Sequence, residues 1–297
     1  MYLGKNRFLR HGGRLQRPTS WMVCLAPENL PTPKHTPGST SAPHSNSIPM
    51  GSKTPPVRRE KATPLGIVHS IVAKAATSSD TRAHHIVDLV VIGFYFCLRS
   101  CEYTKCTGHR WTVQLRPFMD LVFFVGDFLL PRDASAEHFR QAAQMFITFD
   151  NQKNAIRGET DSHFRSESAA VCPVKAGNDI FLRLHNQGCD PPAPISDYPS
   201  NHGLCSISAS HIISVIRAKC LRVGAARLGF TLENVGTHSL RSGGAMAMHL
   251  AEVPDRTLMA IGRWRSLGFM VYIQQQISSF STGVSVKMSQ QPWFRHL

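Results

Sequence analysis

The sequence predicts an α+β protein that is mainly helical and has one small antiparallel sheet. Segments 65–77 and 207–229 carry apolar residues at the spacing of amphipathic helices. Between them, segment 145–163 has the pattern of a strand, a polar turn and a second strand. Long helical segments on both sides of one short strand pair indicate this fold class.

The first helices follow from the apolar spacing. Order is expected to begin near Pro64, and Ile67, Ile71, Val72 and Ala75 share one side of the first helix. A second helix is predicted from about Thr81 to Tyr103. Its apolar run, 86–98, is interrupted by Asp88 and falls short of the roughly 20 residues that a membrane span needs. This run predicts a buried helix.

The predicted sheet comes next, and helices fill the rest of the chain. Segment 112–130 contains two β-rich stretches ahead of the strand pair. A helix is predicted to start near Pro173, because proline is tolerated in the first helical turn. Segment 190–203 is rich in proline and polar residues and predicts a loop.

After the long amphipathic segment 207–229, three further helices are predicted at the end of the chain. The long amphipathic segment is expected to end at Gly229. The next helix, THSLRSGGAMAMH, would be capped by Thr237. Its small residues are consistent with close helix packing or with close approach of a DNA backbone, and both remain open. Segments 257–264 and 267–280 predict the last two helices.

Composition predicts an intracellular protein that binds a polyanion. Lys and Arg number 33 against 19 Asp and Glu, a net charge of +14, and nucleic acid is the commonest polyanion. Residues 1–63 are rich in Pro, Ser and basic residues and predict a disordered arm, with the folded domain and a C-terminal tail over 64–297. The eight cysteines form no C-x-x-C pair, so their spacing does not indicate a zinc ribbon. No secretory apolar segment follows the basic start, which favours reduced thiols inside a cell.

Several residues are candidates for chemistry, although each also has an ordinary structural reading. Arg99 and Glu102 lie one turn apart, as surface ion pairs often do. Lys153 lies at the predicted turn, where a lysine is usually solvated. His238 and Arg241 would share one face at a helix N-terminus, which favours an anion.

The remaining candidates are aromatic. Trp264 and Tyr272 are spaced eight residues apart, and burial is the usual fate of both side chains. No metal-ligand cluster is evident, and the adjacent His84 and His85 would point about 100° apart on a helix.

Along the chain, the candidates occur in the order Arg99, a hairpin lysine, H-x-x-R, G-x-W and a following tyrosine. This order resembles the catalytic series of tyrosine recombinases, also called phage-integrase-like proteins. The resemblance covers about 64–290 and is densest in GTHSLRSGGAMAMHLAEVP and IGRWRSLGFMVYI. It is most similar to the Crypton- and DIRS-type recombinases of eukaryotic mobile elements. It implies a catalytic-core fold, a helical bundle with a small antiparallel sheet.

The resemblance implies cleavage and rejoining of double-stranded DNA without a metal or other cofactor. Tyr272 would attack the scissile phosphate and form a 3′-phosphotyrosyl link. Arg99 and Arg241 would contact the non-bridging oxygens, and Lys153 would protonate the departing 5′-oxygen. His238 would orient the phosphate and relay protons.

The other implied roles are supporting. Trp264 would occupy the position where family members have His or Trp, and Glu102 would support Arg99. Arg157, Arg263 and Arg265 are expected to contact DNA. A homo-oligomer on DNA and a location in the nucleus are expected as well.

Two departures from the family leave alternatives open. Residues 1–63 do not read as the helical clamp domain that usually precedes the catalytic one, so DNA grip would be poor. The spacing from Trp264 to Tyr272 is slightly short. The alternatives are a DNA-binding remnant with little strand exchange and an enzyme similar to type IB topoisomerases.

Overall fold

The first two helices form where the apolar spacing predicts them. They are α1 (Leu65–Ala75) and α2 (Thr81–Tyr95), and the Asp80 carboxylate caps α2 by accepting a hydrogen bond from the Arg82 N–H at 2.9 Å. The structure is a computed structural model that describes residues 60–152, 156–168, 170–270 and 273. These residues all belong to one unit, Arg59–Leu297.

The predicted helix from Thr81 to Tyr103 is wrong in its last turns. The chain breaks after α2, where Cys97 adopts a left-handed φ of 46°, and a short helix α3 (Ser100–Tyr103) follows. The apolar residues continue through the break because Phe96, Cys97 and Leu98 are all fully buried. Burial on both sides of a bend produces the same sequence pattern as a longer helix.

The predicted small sheet is antiparallel and has four strands in the order β2-β1-β3-β4. Its strands are β1 (Leu121–Val125), β2 (Phe128–Leu129), β3 (Gln144–Phe149) and β4 (Glu159–Phe164). The predicted strand–turn–strand is therefore confirmed, with Phe149 opposite Glu159. Two short helices, α4 (Pro117–Asp120) and α5 (Ala136–Gln141), flank β1 and β2.

A second, two-stranded sheet begins inside the segment predicted to be a loop, 190–203, and ends just after it. After α6 (Pro173–His185), strands β5 (Asp197–Ser200) and β6 (Gly203–Ser206) pair antiparallel. The loop prediction fails because Pro, Asp and Ser are poor strand formers. Here the Asp197 carboxylate accepts a hydrogen bond from the Ser206 hydroxyl at 2.7 Å and ties the two strands together.

The last helices differ from the prediction at their ends. α7 (Ala209–Val223) stops at Gly224, whose φ is 88°, and α8 (Ala225–Leu228) precedes the predicted stop, Gly229. α9 (Ser239–Leu250) and α10 (Asp255–Gly262) follow. The N-cap of α9 is His238 and it makes no side-chain cap, so the predicted Thr237 cap is wrong.

The core has two parts. The larger cluster packs α1, α2, α6 and α7 against the sheet, and the smaller one joins α9 to Leu258, Phe269 and Ile273. Ala62 and Thr63 are also buried, and the Thr63 N–H donates to the Ser239 carbonyl at 2.9 Å. The described chain thus includes two buried residues ahead of Pro64.

The fold class is α+β, mainly helical with small antiparallel sheets, as predicted from the sequence. Among the helices that the structure describes, none is both long and apolar enough to cross a membrane.

Candidate functional site

The break after α2 turns Arg99 into the N-cap of α3. Its backbone N–H donates to Glu102 Oε2 at 2.8 Å, and its Nη1 donates to Glu102 Oε1 at 2.9 Å. The Arg99 side chain remains 18% exposed, whereas that of Glu102 is 1% exposed. The predicted Arg99–Glu102 pair therefore forms, with a buried carboxylate instead of a surface one.

Glu102 also binds a second arginine from the far end of the chain. Arg263 Nη2 donates to Glu102 Oε2 at 2.6 Å, and both side chains are nearly inaccessible. The Arg263 guanidinium lies 3.7 Å above the Phe149 ring on β3, and its Nε and Nη1 are buried without a hydrogen-bond partner. One carboxylate thus joins α3 to the residue after α10.

Arg241 lies on the buried face of α9, where 3% of the residue is exposed. Its Nη1 donates to the Cys97 carbonyl in the α2–α3 break, and its Nη2 donates to the Gly262 carbonyl at 2.6 Å. The guanidinium also lies 4.5 Å from the centre of the Trp264 ring. Both hydrogen bonds go to helix ends, where carbonyls lack partners within their own helix.

The small residues of α9 allow this close packing. A Cβ on Gly243 would collide with the Thr63 carbonyl oxygen, and a Cβ on Gly244 would collide with the Phe94 carbonyl oxygen and lie 2.8 Å from Cys97 Sγ. The sequence left two readings of these small residues open, close helix packing and close approach of a DNA backbone. The contacts at both glycines are helix packing against protein. This packing brings Arg241 to the α2–α3 break.

The cluster carries an excess of positive charge. It contains three guanidiniums, those of Arg99, Arg241 and Arg263, against the Glu102 and Asp161 carboxyls. Burial, followed by repulsion from Arg263 and Arg99, lowers the pKa of Arg241 to about 10, so it remains charged at neutral pH. Burial raises the pKa of Asp161 to about 6. Such a cluster attracts an anion.

The β3–β4 hairpin brings its tip to Arg99. Gln152 is buried, its Oε1 lies 3.5 Å from Arg99 Nη1, and its Nε2 donates to Glu159 Oε2 at 2.5 Å. The next residue, Lys153, lies outside the described residues. Tyr272 also lies outside them, although its neighbour Ile273 is fully buried in the smaller core cluster.

The other predicted site residues lie at the surface. His238 is exposed and donates its backbone N–H to Glu60 Oε2 at 2.5 Å, whereas Arg241 points inward, so the two side chains do not share an environment. Arg157 and Arg265 are exposed, whereas Arg263 is buried. The structure thus brings Arg99, Arg241, Glu102, Arg263 and Trp264 together.

Sequence reasoning missed two polar residues of the cluster. Gln152 was overlooked because an amide beside a turn lysine carries no distinctive signal. Asp161 was overlooked because a single acidic residue in a polar strand is normally solvent-facing. Its place directly opposite the fully buried Ile147 in the β3–β4 register is the signal that would have revealed it, since paired residues face the same side of the sheet.

No group of three or more potential metal ligands occurs among the described residues. His84 and His85 are both used structurally. His84 Nε2 lies 2.7 Å from the Ser78 carbonyl oxygen, and His85 Nε2 lies 2.9 Å from that of Ile195.

Comparison with known proteins finds similar solved structures. No protein-family model and no curated protein matches the chain. The chain is similar to a solved structure, the crystal structure of XerA recombinase, at 16% sequence identity and a TM-score of 0.41. The similarity covers 78% of this chain and 66% of that chain, and at this TM-score it assigns no function.

Proposed function

We propose that this chain is the catalytic domain of a tyrosine recombinase that cleaves and rejoins DNA through a 3′-phosphotyrosine intermediate. The observation that carries the proposal is the buried arginine cluster. Arg99 and Arg241 come from distant parts of the sequence and meet at the α2–α3 break, with Gln152 of the hairpin beside them. These residues follow the order that the sequence resemblance requires.

The chemistry fits a phosphodiester. Transfer of a phosphoryl group depends mainly on positioning and on stabilising negative charge on the non-bridging oxygens, and guanidiniums suit both needs. The Tyr272 oxygen would form a bond to phosphorus while the bond from phosphorus to the 5′-oxygen breaks. Lys153 would supply the proton to that leaving oxygen, and His238 would relay the tyrosine proton.

The accessibility of the arginines suggests the order of contact. Arg99 is the more exposed of the two predicted phosphate ligands, so it would meet the phosphate first. Arg241 donates to two carbonyls, and a phosphate oxygen would replace one of these acceptors. Because Trp264 stacks on the guanidinium, it would hold Arg241 in place during that exchange.

The finer assignments also belong to this proposal. The sequence series is most similar to that of Crypton- and DIRS-type mobile elements, so we propose a recombinase of that kind. A synapse of two DNA sites would require a homo-oligomer, and a chromosomal target would place the protein in the nucleus. The exposed Arg157 and Arg265 would contact the DNA around the site, whereas the buried Arg263 would act through Glu102.

A nicked suicide duplex tests the proposal, because loss of the short fragment that carries the free 5′-hydroxyl traps the covalent intermediate. The full chain should form a protein–DNA adduct on denaturing gels, in the presence of a chelator. Tyr272→Phe should abolish the adduct, whereas Tyr198→Phe, on β5, should retain it. An adduct that survives Tyr272→Phe would overturn the assignment.

The same assay separates the alternatives. Binding of the duplex without any adduct would indicate a DNA-binding remnant. Adduct formation together with relaxation of supercoiled plasmid at no preferred sequence would indicate an activity similar to type IB topoisomerases.

A further inference from the structure

A groove with a cavity volume of about 470 Å³ lies between α1, α2 and α7. It opens at the N-terminal end of α2, beside Arg82 and Ala83. Arg99 follows the C-terminal end of the same helix, and 15 residues of α-helix span about 22 Å. The groove is therefore separate from the arginine cluster.

One end of the groove is strongly basic. Lys74, Lys219 and Arg222 line it, and none of the three forms a salt bridge with a described residue. Lys219 is 9% exposed, so its long side chain is largely enclosed by its surroundings. Lys219 and Arg222 lie one turn apart on α7, and Lys74 lines the same groove from α1. Burial, then repulsion from Arg222 and Lys74, lowers the pKa of Lys219.

The helix dipole explains only part of this arrangement. Lys74 and Arg222 lie in the last turns of α1 and α7, where the helix C-terminus favours cations. Lys219 is enclosed between them, and burial of a third cation beside two others costs free energy. An anionic group in the groove would remove that cost.

The floor next to the cations is apolar. Val215 lies one helical turn before Lys219 on α7, and Ile86 and Val87 face it from α2. At the opposite end, Arg82 lies near the Asp80 carboxylate, and burial, then Arg82, lowers the pKa of His211. The groove thus offers a basic end and an apolar middle about 6 Å apart along α7.

This chemistry selects among possible occupants. Residues 1–59 carry nine Lys and Arg against one Glu, and residues 274–297 carry Lys287 and Arg295 with no acidic residue. Neither segment complements a basic groove. A DNA backbone complements the charge and has no apolar group for the floor. A peptide with carboxylates one turn from apolar side chains complements both.

We propose that this groove binds an acidic, partly apolar peptide segment of a partner protein. Its carboxylates pair with Lys74, Lys219 and Arg222, and its apolar side chains cover Val215 and Ile86. The proposal is independent of DNA cleavage.

The test uses the full chain and a fluorescein-labelled helical peptide with two glutamates one turn from two leucines. Fluorescence anisotropy at about 0.15 M salt should show saturable binding, which screening at that ionic strength does not abolish. The double variant Lys74→Glu/Arg222→Glu should weaken binding at least tenfold. The matched charge change at two exposed arginines outside the groove, Arg132→Glu/Arg140→Glu, should leave binding unchanged.

Three results would overturn the proposal. The first is no saturable binding by the unmodified chain. The second is equal affinity for a peptide with serine in place of leucine, which would show a response to charge alone. The third is displacement of the peptide by a short duplex DNA, which would make the groove a DNA contact. The covalent-adduct assay uses neither the peptide nor these residues, so the two proposals fail independently.

Discussion

Glu102 accepts hydrogen bonds from Arg99 and Arg263 while its own side chain is 1% exposed. A buried carboxylate between two guanidiniums is a point where one substitution leaves several charges unpaired. Replacing one partner of such a pair destabilises a protein more than the pair itself stabilises it.

Glu102→Gln should therefore lower the free energy of unfolding by about 3–5 kcal/mol, because Arg263 loses the carboxylate to which it is hydrogen-bonded in the core. Urea denaturation of both proteins measures the difference. The control is Glu137→Gln on α5, where both members of the Glu137–Arg140 pair are 67% exposed. That change should stay within about 0.5 kcal/mol. Equal effects at the two positions would contradict the prediction.

Two glycines offer a matched comparison of packing against helix propensity. Gly66 in α1 has no atom within 4 Å of an added Cβ, so Gly66→Ala should stabilise the protein by up to about 1 kcal/mol. Gly244→Ala in α9 should destabilise it by about 1–3 kcal/mol, because the Cβ collides with the Phe94 carbonyl oxygen. Thermal unfolding of both variants gives the sign of each change in stability. A stabilised Gly244→Ala would disprove the close contact.

At the scale of elements, His85 joins α2 to α6. Arg183 Nη1 lies 2.7 Å from His85 Nδ1 and donates to it, so the imidazole is neutral and its Nε2–H donates to the Ile195 carbonyl. Burial, then Arg183, lowers the pKa of His85 from 6.5 to about 3. A group with a lowered folded-state pKa stabilises the fold above its unfolded pKa and loses that contribution as pH falls.

His85→Gln should therefore change the pH dependence of stability. Gln keeps one acceptor and one donor but does not titrate. Between pH 6.5 and 4, the free energy of unfolding of the original protein should therefore fall by roughly 3 kcal/mol relative to that of the variant. Asp88 also bonds Arg183, and burial raises its pKa to about 7, but it is present in both proteins and largely cancels. Urea denaturation at several pH values measures the difference, and the exposed His69→Gln should show none.

The elements that the sequence predicts well are those with one regular period. α1 and β3 each have a single buried face, so the spacing of apolar residues identifies them, and Pro173 marks the start of α6. The α2–α3 break is different, because Phe96 and Leu98 are buried on both sides of a left-handed Cys97. Local spacing carries no information about a bend that tertiary packing enforces.

The candidate site likewise has some features that the sequence predicts and others that depend on tertiary packing. The order of Arg99, Arg241 and Trp264 along the chain was enough to predict that they act together. The sharing of Glu102 by Arg99 and Arg263 was not predictable, because it depends on the left-handed φ of 53° at Arg263, which turns that side chain inward after α10. The positions of Lys153 and Tyr272 stay predictions.

At the scale of the whole molecule, the net charge of +14 predicts salt-sensitive DNA binding. Affinity for a non-specific duplex should fall steeply as salt rises. If the exposed Arg157 and Arg265 contact phosphates, Arg157→Ala/Arg265→Ala should reduce the slope of log K against log salt by about 2. Arg132→Ala/Arg140→Ala removes the same charge elsewhere and should leave the slope unchanged. Fluorescence anisotropy measures both, and equal slopes in all three proteins would contradict the assignment.

Arg241 hydrogen-bonds to the Cys97 and Gly262 carbonyls, so it connects the ends of two helices as well as carrying charge. This has a consequence for genetics. If Arg241 contacts the scissile phosphate as proposed, loss-of-function alleles at this codon will combine a folding defect with a chemical one, and a screen for activity will not separate them. Alleles of Tyr272, whose predicted role is purely chemical, will be the informative ones, and suppressors of Arg241 alleles should arise at the helix ends that it joins.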